Sequence, residues 1–199
     1  VVEADGDVFG VVDDAHGDGV LGKNGVGIVS QFNLHGKIDI EMGTFSKAFG
    51  TVGGYICGSA ELCEFALNKS RTWLLTGSHP PATIAASIAA LEVIEKDKSL
   101  VKKLWKNREY FVNGLKGLGF NTGKSQTPII PVMLLDSKLA KNFSAELFKL
   151  GVYGLPIVFP MVAMNTARIR TQVNASHTKA DLDKALDAFK KVGKKLNVI

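Results

Sequence analysis

The sequence predicts an α/β chain in two parts, the first running to about residue 95 and the second, a smaller α+β unit, covering residues 96–199. Three observations carry this expectation. Short apolar runs in the first part, "VFGVV" and "GGYICGS", have polar or glycine-rich loops at their ends, as buried strands do. After residue 95 the chain changes character, and lysines interleave with apolar residues at helical spacing. Near the end, "ARIRTQV" alternates strictly, with Ile169, Thr171 and Val173 on one face and Arg168, Arg170 and Gln172 on the other.

The elements follow in order. Val8–Val12 reads as a buried strand, Ile38–Met42 as a second and Gly53–Ser59 as a third, with a short helix over residues 60–67. Pro80 and Pro81 open the stretch "ATIAASIAALEVIEK"; proline suits a first helical turn, where its missing N–H is not needed. This helix is apolar almost all round and is expected to be buried. Leu100, Leu104, Phe111 and Leu115 then mark an amphipathic helix that Gly117 and Gly119 stop. "TPIIPVMLL" reads as a strand whose prolines favour a sheet edge. Residues 140–150 form an amphipathic helix. The last helix starts at Thr178, with Asp181 placed to complete a capping box.

Composition excludes several classes. Hydrophobic residues make up 46% and charged residues 22%, an ordinary soluble composition. No apolar run approaches the roughly 18 residues of a membrane span. Cys57 and Cys63 form neither a disulfide framework nor a metal-ligand pattern, which suits a reducing cytoplasm. The net charge of +5 is concentrated in the lysines between residues 96 and 124. These read as the solvated face of a helix, or else as a patch that attracts an anion. No nucleic-acid motif accompanies them.

The segment "DDAHGDGVLGKN", residues 13–24, spells parts of three motifs. A dinucleotide fold needs a helix directly after its G-x-G-x-x-G, but "KNGVGIVSQFNLHG" has no helical period. A phosphate loop needs Ser or Thr after its lysine, and Asn24 stands there. Asp13, Asp14 and His16 alone are a thin metal set, with no further His or Cys pattern. The glycines read best as a tight, flexible surface loop.

A fourth reading joins this segment to "TFSKAFG". Alone, Lys47 is a surface lysine. Together, Asp13 at a strand end, His16 three residues on and Lys47 in a following turn are the residue types that a pyridoxal phosphate (PLP) site requires: a carboxylate for the pyridine nitrogen, a hydrogen-bonding partner for the phenolic oxygen and an amine for the Schiff base. In order and spacing, "VVDDAHGDGVLGKNGVG", "GTFSKAFGTVGGYICGS", "SRTWLLTGSHPPA" and "TARIRTQVNASHT" resemble the α-oxoamine synthases, PLP enzymes of the aspartate aminotransferase fold (fold type I) that condense an amino acid with an acyl-CoA. The resemblance covers essentially the whole chain. Within the family, "TPIIPVMLLD" and the C-terminal stretch look most like the glycine C-acetyltransferases, which join glycine and acetyl-CoA and run in reverse in threonine breakdown; 8-amino-7-oxononanoate synthases and serine palmitoyltransferases are the alternatives.

The resemblance implies roles for particular residues. Asp13 matches the partner of the pyridine nitrogen, His16 that of the phenolic oxygen and Lys47 the Schiff-base lysine, which also moves the α-proton. Thr44 matches a contact of the cofactor phosphate. Thr76 and Gly77 match a segment lent to the neighbouring subunit's phosphate in a homodimer, with Gly77 able to offer only its N–H. Arg170 matches the arginine that holds the amino-acid carboxylate, in preference to Arg168; Asp14 receives no role, and His79 is expected to be structural. Family members are about twice as long. Their N-terminal half supplies a phosphate loop and a ring-stacking residue, so the chain is expected to correspond to the C-terminal portion: the end of the large-domain sheet and the small domain. That leaves an enzyme portion, an inert fragment and an anion- or CoA-binding module as distinct functional readings.

Overall fold

The computed structural model describes residues 10–199, so Val8 and Phe9 of the first expected strand lie outside the described residues. Two compact units result, the first ending at Val101 and the second spanning Lys102–Ile199.

The first unit holds a three-stranded sheet ordered β1-β2-β3. Strand β1 (Val11–Asp13) runs parallel to β2 (Ile40–Thr44), with Val11 opposite Ile40 and Asp13 opposite Met42. Strand β3 (Gly54–Cys57) returns antiparallel to β2. Strand β2 starts two residues later than the hydrophobic pattern suggests. Asp39 is the cause: its carboxylate accepts the Gly10 N–H at 2.7 Å while its own N–H donates to the Gly10 carbonyl at 3.0 Å, so residues 37–39 serve as an anchor ahead of the ladder. Between the first two strands lie one turn of 3-10 helix and the four-residue α1 (Ile28–Gln31). Helix α2 (Ala60–Lys69) is capped by Ser59, whose hydroxyl accepts the Leu62 N–H at 3.2 Å. The short α3 (Arg71–Leu74) and α4 (Pro81–Lys96) follow, the latter with proline in its first turn as expected.

The expected burial of α4 is not found. Ser87 is its one buried residue, while Ile84, Ile88, Leu91 and Val93 are 41–55% exposed. A helix that is apolar on every side is buried only where neighbours cover every side, and the exposure of these four side chains shows that the described residues leave much of α4 uncovered.

The second unit takes most of helix α5 (Ser99–Gly117) and a three-stranded antiparallel sheet ordered β4-β6-β5. Strand β4 (Ile129–Leu135) lies at an edge, where Pro131 withholds no needed donor. Strand β6 (Ala167–Gln172) is central and pairs with β4 and with the short β5 (Leu155–Ile157), which the sequence does not signal. Alternation along β6 is borne out: Ala167, Ile169 and Thr171 are buried, and Arg168 and Arg170 are half-buried on the other face. Helices α6 (Ser137–Lys149) and α7 (Lys179–Lys195) complete the core. Phe143 and Phe189 have ring centroids 5.7 Å apart, and Phe120 meets both edge-on at 6.0 and 5.8 Å, the geometry aromatic quadrupoles favour. The capping box is present: the Thr178 hydroxyl accepts the Asp181 N–H at 3.2 Å and the Asp181 carboxylate accepts the Thr178 N–H at 2.8 Å. Buried Asn107 ties α5 to the turn before α7 by donating to the carbonyls of Asn174 and His177 at 3.0 and 2.9 Å. Among the described residues, no helix is long and apolar enough to cross a membrane.

Phe143 is fully buried. Replacing it with alanine should therefore cost about 3–5 kcal/mol, and Thr178→Ala about 1 kcal/mol through the lost cap. Urea denaturation followed by far-UV circular dichroism reads both, with the larger loss expected at Phe143.

Candidate functional site at the strand ends of the first unit

Asp13 is the last residue of β1 and Thr44 the last of β2. The two strands are parallel and neighbouring, so both open their C-terminal ends toward the same edge, where α/β sheets bind ligands. Asp13 is exposed there; one carboxylate oxygen accepts the Ala15 N–H at 3.0 Å in an Asx turn, and exposed His16 follows on the same turn.

Asp14 has the opposite environment. It is 4% exposed, its N–H donates to the Met42 carbonyl at 2.8 Å, and its carbonyl accepts the N–H groups of Gly17 and Asp18 at 2.8 and 3.0 Å. Its carboxylate reaches across the loop to accept the Ile28 N–H at 2.7 Å. The glycine-rich loop is thus held from within rather than flexible. The four-residue α1 that follows it is no dinucleotide helix. Asp18, in the same loop, reaches the sheet: its carboxylate accepts the Tyr55 hydroxyl at 2.6 Å. Burial pushes the Asp14 carboxyl up to about 6 despite the opposing Ile28 N–H, and the charges of Asp18 and Glu41 add to the rise. Burial likewise raises Asp18, and burial together with the bond to Asp18 raises the Tyr55 hydroxyl. Gly43 makes room for this contact, since a methyl group there would overlap the Asp18 carboxylate and the Tyr55 ring.

Lys47 sits exposed in the turn joining β2 to β3. Thr44 closes that turn by donating its hydroxyl to the Gly53 carbonyl at 2.9 Å, and its oxygen lies 2.8 Å from the Ser46 hydroxyl. The Phe45 N–H donates to Gly53 at 2.9 Å, and the Thr51 N–H to Phe45 at 2.8 Å. A second fastening comes from α4: the Thr51 and Ser87 hydroxyls stand 2.7 Å apart, and Ser87 donates to the Thr83 carbonyl at 3.0 Å. His79 lies so close over Gly53 that no side chain fits there, while Thr76 and Gly77 are exposed in the preceding loop.

Arg170 belongs to the second unit, at the centre of its sheet, opposite Pro131 on β4 and Leu155 on β5. Arg168 donates its Nε–H to the Thr166 carbonyl at 3.0 Å, whereas the Arg170 guanidinium forms no ion pair among the described residues. The same residues contain no group of three or more His, Cys, Asp or Glu side chains able to hold a metal ion. Sequence reasoning thus located Asp13, His16, Thr44 and Lys47 along one edge of the first unit, and missed Asp14, Asp18, Tyr55 and the Thr51–Ser87 pair. The signals that could have found the buried network are Asp14, a second acid directly after the strand-end aspartate, and Asp18, an acid between two glycines.

A sheet with its polar residues at the ends of parallel strands, beside a turn that presents one lysine, defines the class. The family model for class I and II aminotransferases matches residues 2–189, and the chain belongs to that family. Its relatives include the 8-amino-7-oxononanoate synthases of Thermoanaerobacter pseudethanolicus, 53% identical over 94% of this chain and 48% of that protein, and of Bacillus subtilis, 45% identical over 97% and 49%. Among solved structures, a Sphingomonas wittichii serine palmitoyltransferase superposes with a TM-score of 0.90 at 28% identity, covering 95% of this chain and 48% of that one. A second, described as SPT with PLP, gives 0.91 at 31% identity over 96% and 48%. The chain therefore spans about half the length of the relatives it matches. Its α/β architecture is the one expected: the end of a fold type I large-domain sheet followed by a small α+β domain. The subfamily expectation needs correction, because the relatives at 45–53% identity are 8-amino-7-oxononanoate synthases and not glycine C-acetyltransferases. The reason is physical. "TPIIPVMLLD" and the C-terminal stretch, which carried that expectation, are β4, β6 and α7, the packing framework of the second unit.

Gly43→Ala should be destabilising by about 1–3 kcal/mol, the usual range for overpacking. Thermal melting should show the loss, and pairing it with Tyr55→Phe should not restore it, because the Asp18 carboxylate remains in the way.

Proposed function

We propose that this chain is the cofactor-bearing portion of an α-oxoamine synthase, and that the complete enzyme makes 8-amino-7-oxononanoate. The observation that carries the reading is the juxtaposition of Asp13 and the Lys47 turn at neighbouring parallel strand ends. The donor set fits pyridoxal phosphate: an exposed carboxylate, an imidazole, an exposed amine and clustered hydroxyls lie along one edge. When bound, that cofactor supplies an electron sink for negative charge at the amino acid's α-carbon.

The chain's own residues would divide the work. Asp13 would keep the pyridine nitrogen protonated and His16 would hydrogen-bond the phenolic oxygen. Lys47 Nζ would carry the cofactor at rest, then take and return the α-proton once substrate has freed it. The Thr44 hydroxyl would face the phosphate, although the resting turn uses its proton on Gly53. In a homodimer, Thr76 and the Gly77 N–H would reach the other subunit's phosphate; the exposed Trp73, Leu74 and Leu75 just before them suit an interface. Arg170 would grip the amino-acid carboxylate with its planar fork.

The product named for the relatives supports a choice of substrates by its atoms. A nine-carbon acid with a ketone at carbon 7 and an amine at carbon 8 divides between those carbons. One side is a seven-carbon ω-carboxyacyl group, delivered as its CoA thioester. The other is alanine after loss of its carboxylate. Bond formation between them releases carbon dioxide and CoA.

After incubation with pyridoxal phosphate and borohydride reduction, peptide mapping should find the label on Lys47; a spread of label over surface lysines that persists in Lys47→Ala would overturn the cofactor assignment. L-Alanine with the seven-carbon dicarboxylic acyl-CoA should release CoA faster than glycine with acetyl-CoA, and the reverse preference would restore the glycine C-acetyltransferase reading. Arg170→Lys should raise the amino-acid KM some tens- to hundreds-fold, on the order of 2–3 kcal/mol for a lost charge-assisted pair. Unchanged KM would move the role elsewhere.

A further inference from the structure

Tyr55 takes no part in the chemistry just described, yet its side chain crosses the sheet to reach the loop of Asp13 and His16. It stands on β3, opposite Gly43 of β2. Because Gly43 has no side chain, the tyrosine ring lies across β2 at that point; a methyl group there would overlap both the ring and the Asp18 carboxylate. The Tyr55 hydroxyl then donates to Asp18 at 2.6 Å, in the loop that follows β1. One side chain and its acceptor thus join β3 to the segment leaving β1, past the strand between them.

Both ends of this bond are fixed. The Asp18 N–H donates to the Asp14 carbonyl at 3.0 Å and the Gly19 N–H to the Gly25 carbonyl at 2.9 Å. His16 lies two residues before Asp18, and Asp13 five. The tyrosine ring bears on the lysine turn. Its centroid is 5.2 Å from that of Phe45, and Phe45 meets Phe49 edge-on at 6.0 Å. Phe45 and Phe49 stand two residues to either side of Lys47; both are half-buried while the lysine is exposed. The turn and the loop also touch directly. A methyl group on Gly19 would come within 2.7 Å of the Cβ of Ala48, the residue after Lys47. The backbone bonds of Phe45 and Thr51 give the turn its shape. The junction of Tyr55 with Asp18 and of Ala48 with Gly19 gives it its place.

We propose that Tyr55 is a positioning residue: tethered by its hydroxyl to Asp18, its ring braces Phe45 and fixes the turn bearing Lys47 against the loop bearing Asp13 and His16. The functional consequence, though not the junction itself, rests on the assignment of Asp13 and Lys47 to the cofactor.

Tyr55→Phe keeps the ring and deletes the donor; Asp18→Ala deletes the acceptor, and Asp18→Asn keeps an oxygen for the hydroxyl. Amide hydrogen exchange followed by NMR reads the junction without any cofactor. The Phe45 and Thr51 N–H groups, both bonded within the turn, should exchange about three- to ten-fold faster in Tyr55→Phe and Asp18→Ala, as the loss of one hydrogen bond allows. The Ile40 N–H, bonded to the Gly10 carbonyl at 3.1 Å at the other end of β2, should keep its rate, and Asp18→Asn should match the wild type throughout. Unchanged exchange in the turn, or acceleration by the same factor at Ile40, overturns the tether. If Tyr55→Phe does not fold, Phe45→Leu cuts the link between ring and turn, and faster exchange at Thr51 with an unchanged rate at Ile40 is expected there too. Borohydride labelling of Lys47 in the presence of pyridoxal phosphate tests the positioning. It should fall several-fold in Tyr55→Phe and stay at the wild-type level in Asp18→Asn. Equal labelling of wild type and Tyr55→Phe overturns the positioning role and leaves the cofactor reading intact. Absence of labelling in the wild type overturns the cofactor reading and leaves the exchange result standing.

Discussion

The hydrogen bond from the Ile28 N–H to the Asp14 carboxylate is the constraint on which the first unit turns. It closes a loop of fifteen residues that has no long helix and few apolar side chains to pack, Ala15 being the buried one. It adds to the bonds that the Asp14 main chain makes with Met42, Gly17 and Asp18, so that the residue after Asp13 is held by both its backbone and its side chain. The rest is built outward from that carboxylate. Asp14 fixes the loop, Asp18 joins the loop to β3, and Thr44 and Thr51 tie the lysine turn to Gly53 and to α4. Each link uses a polar group where a larger unit would use apolar burial. That suits a region with a narrow sheet and an α4 that keeps most of its apolar surface exposed.

The second unit is organised by different physics. Its core is aromatic and aliphatic, its strands alternate cleanly and its last helix is capped on both partners. Arg170 is placed by that regularity alone: once Ile169 and Thr171 face the core, the residue between them must face away. The arginine's direction is a by-product of packing, whereas the directions of Asp13 and Lys47 depend on specific hydrogen bonds.

This contrast explains what was legible in the sequence. Period and capping signals identified β6, the edge strand β4 and the start of α7, because those features are set by neighbouring residues. The same logic failed for α4, whose all-round hydrophobicity reports what the helix is able to bury and not what stands beside it. The glycine-rich loop was read as flexible because glycine is the common sign of freedom; here glycines at 17, 27 and 43 mark close approach of two acids. Residue types at matched spacing pointed to Asp13, His16 and Lys47. Nothing local pointed to Asp18 or Tyr55, whose contact spans 37 positions. The choice among amino-acid and acyl partners was illegible for a related reason, since the segments that seemed to decide it are mostly packing framework, and the arginine proposed among them, Arg170, would hold a carboxylate common to every amino acid.

The glycines around the acid pair also carry a consequence for how such sequences can diverge. Gly17, Gly27 and Gly43 are held small by carboxylate oxygens rather than by one another. In a lineage that shortens or removes the acid at position 14, the space at 17 opens at once and alanine or serine can drift in, whereas Gly27, at φ 114°, stays confined to glycine by its own backbone. Return of the acid is then blocked until glycine is restored at 17. Loss of Asp14 would behave as a ratchet, and across diverged copies of this chain the acid and Gly17 should be kept or lost as a pair.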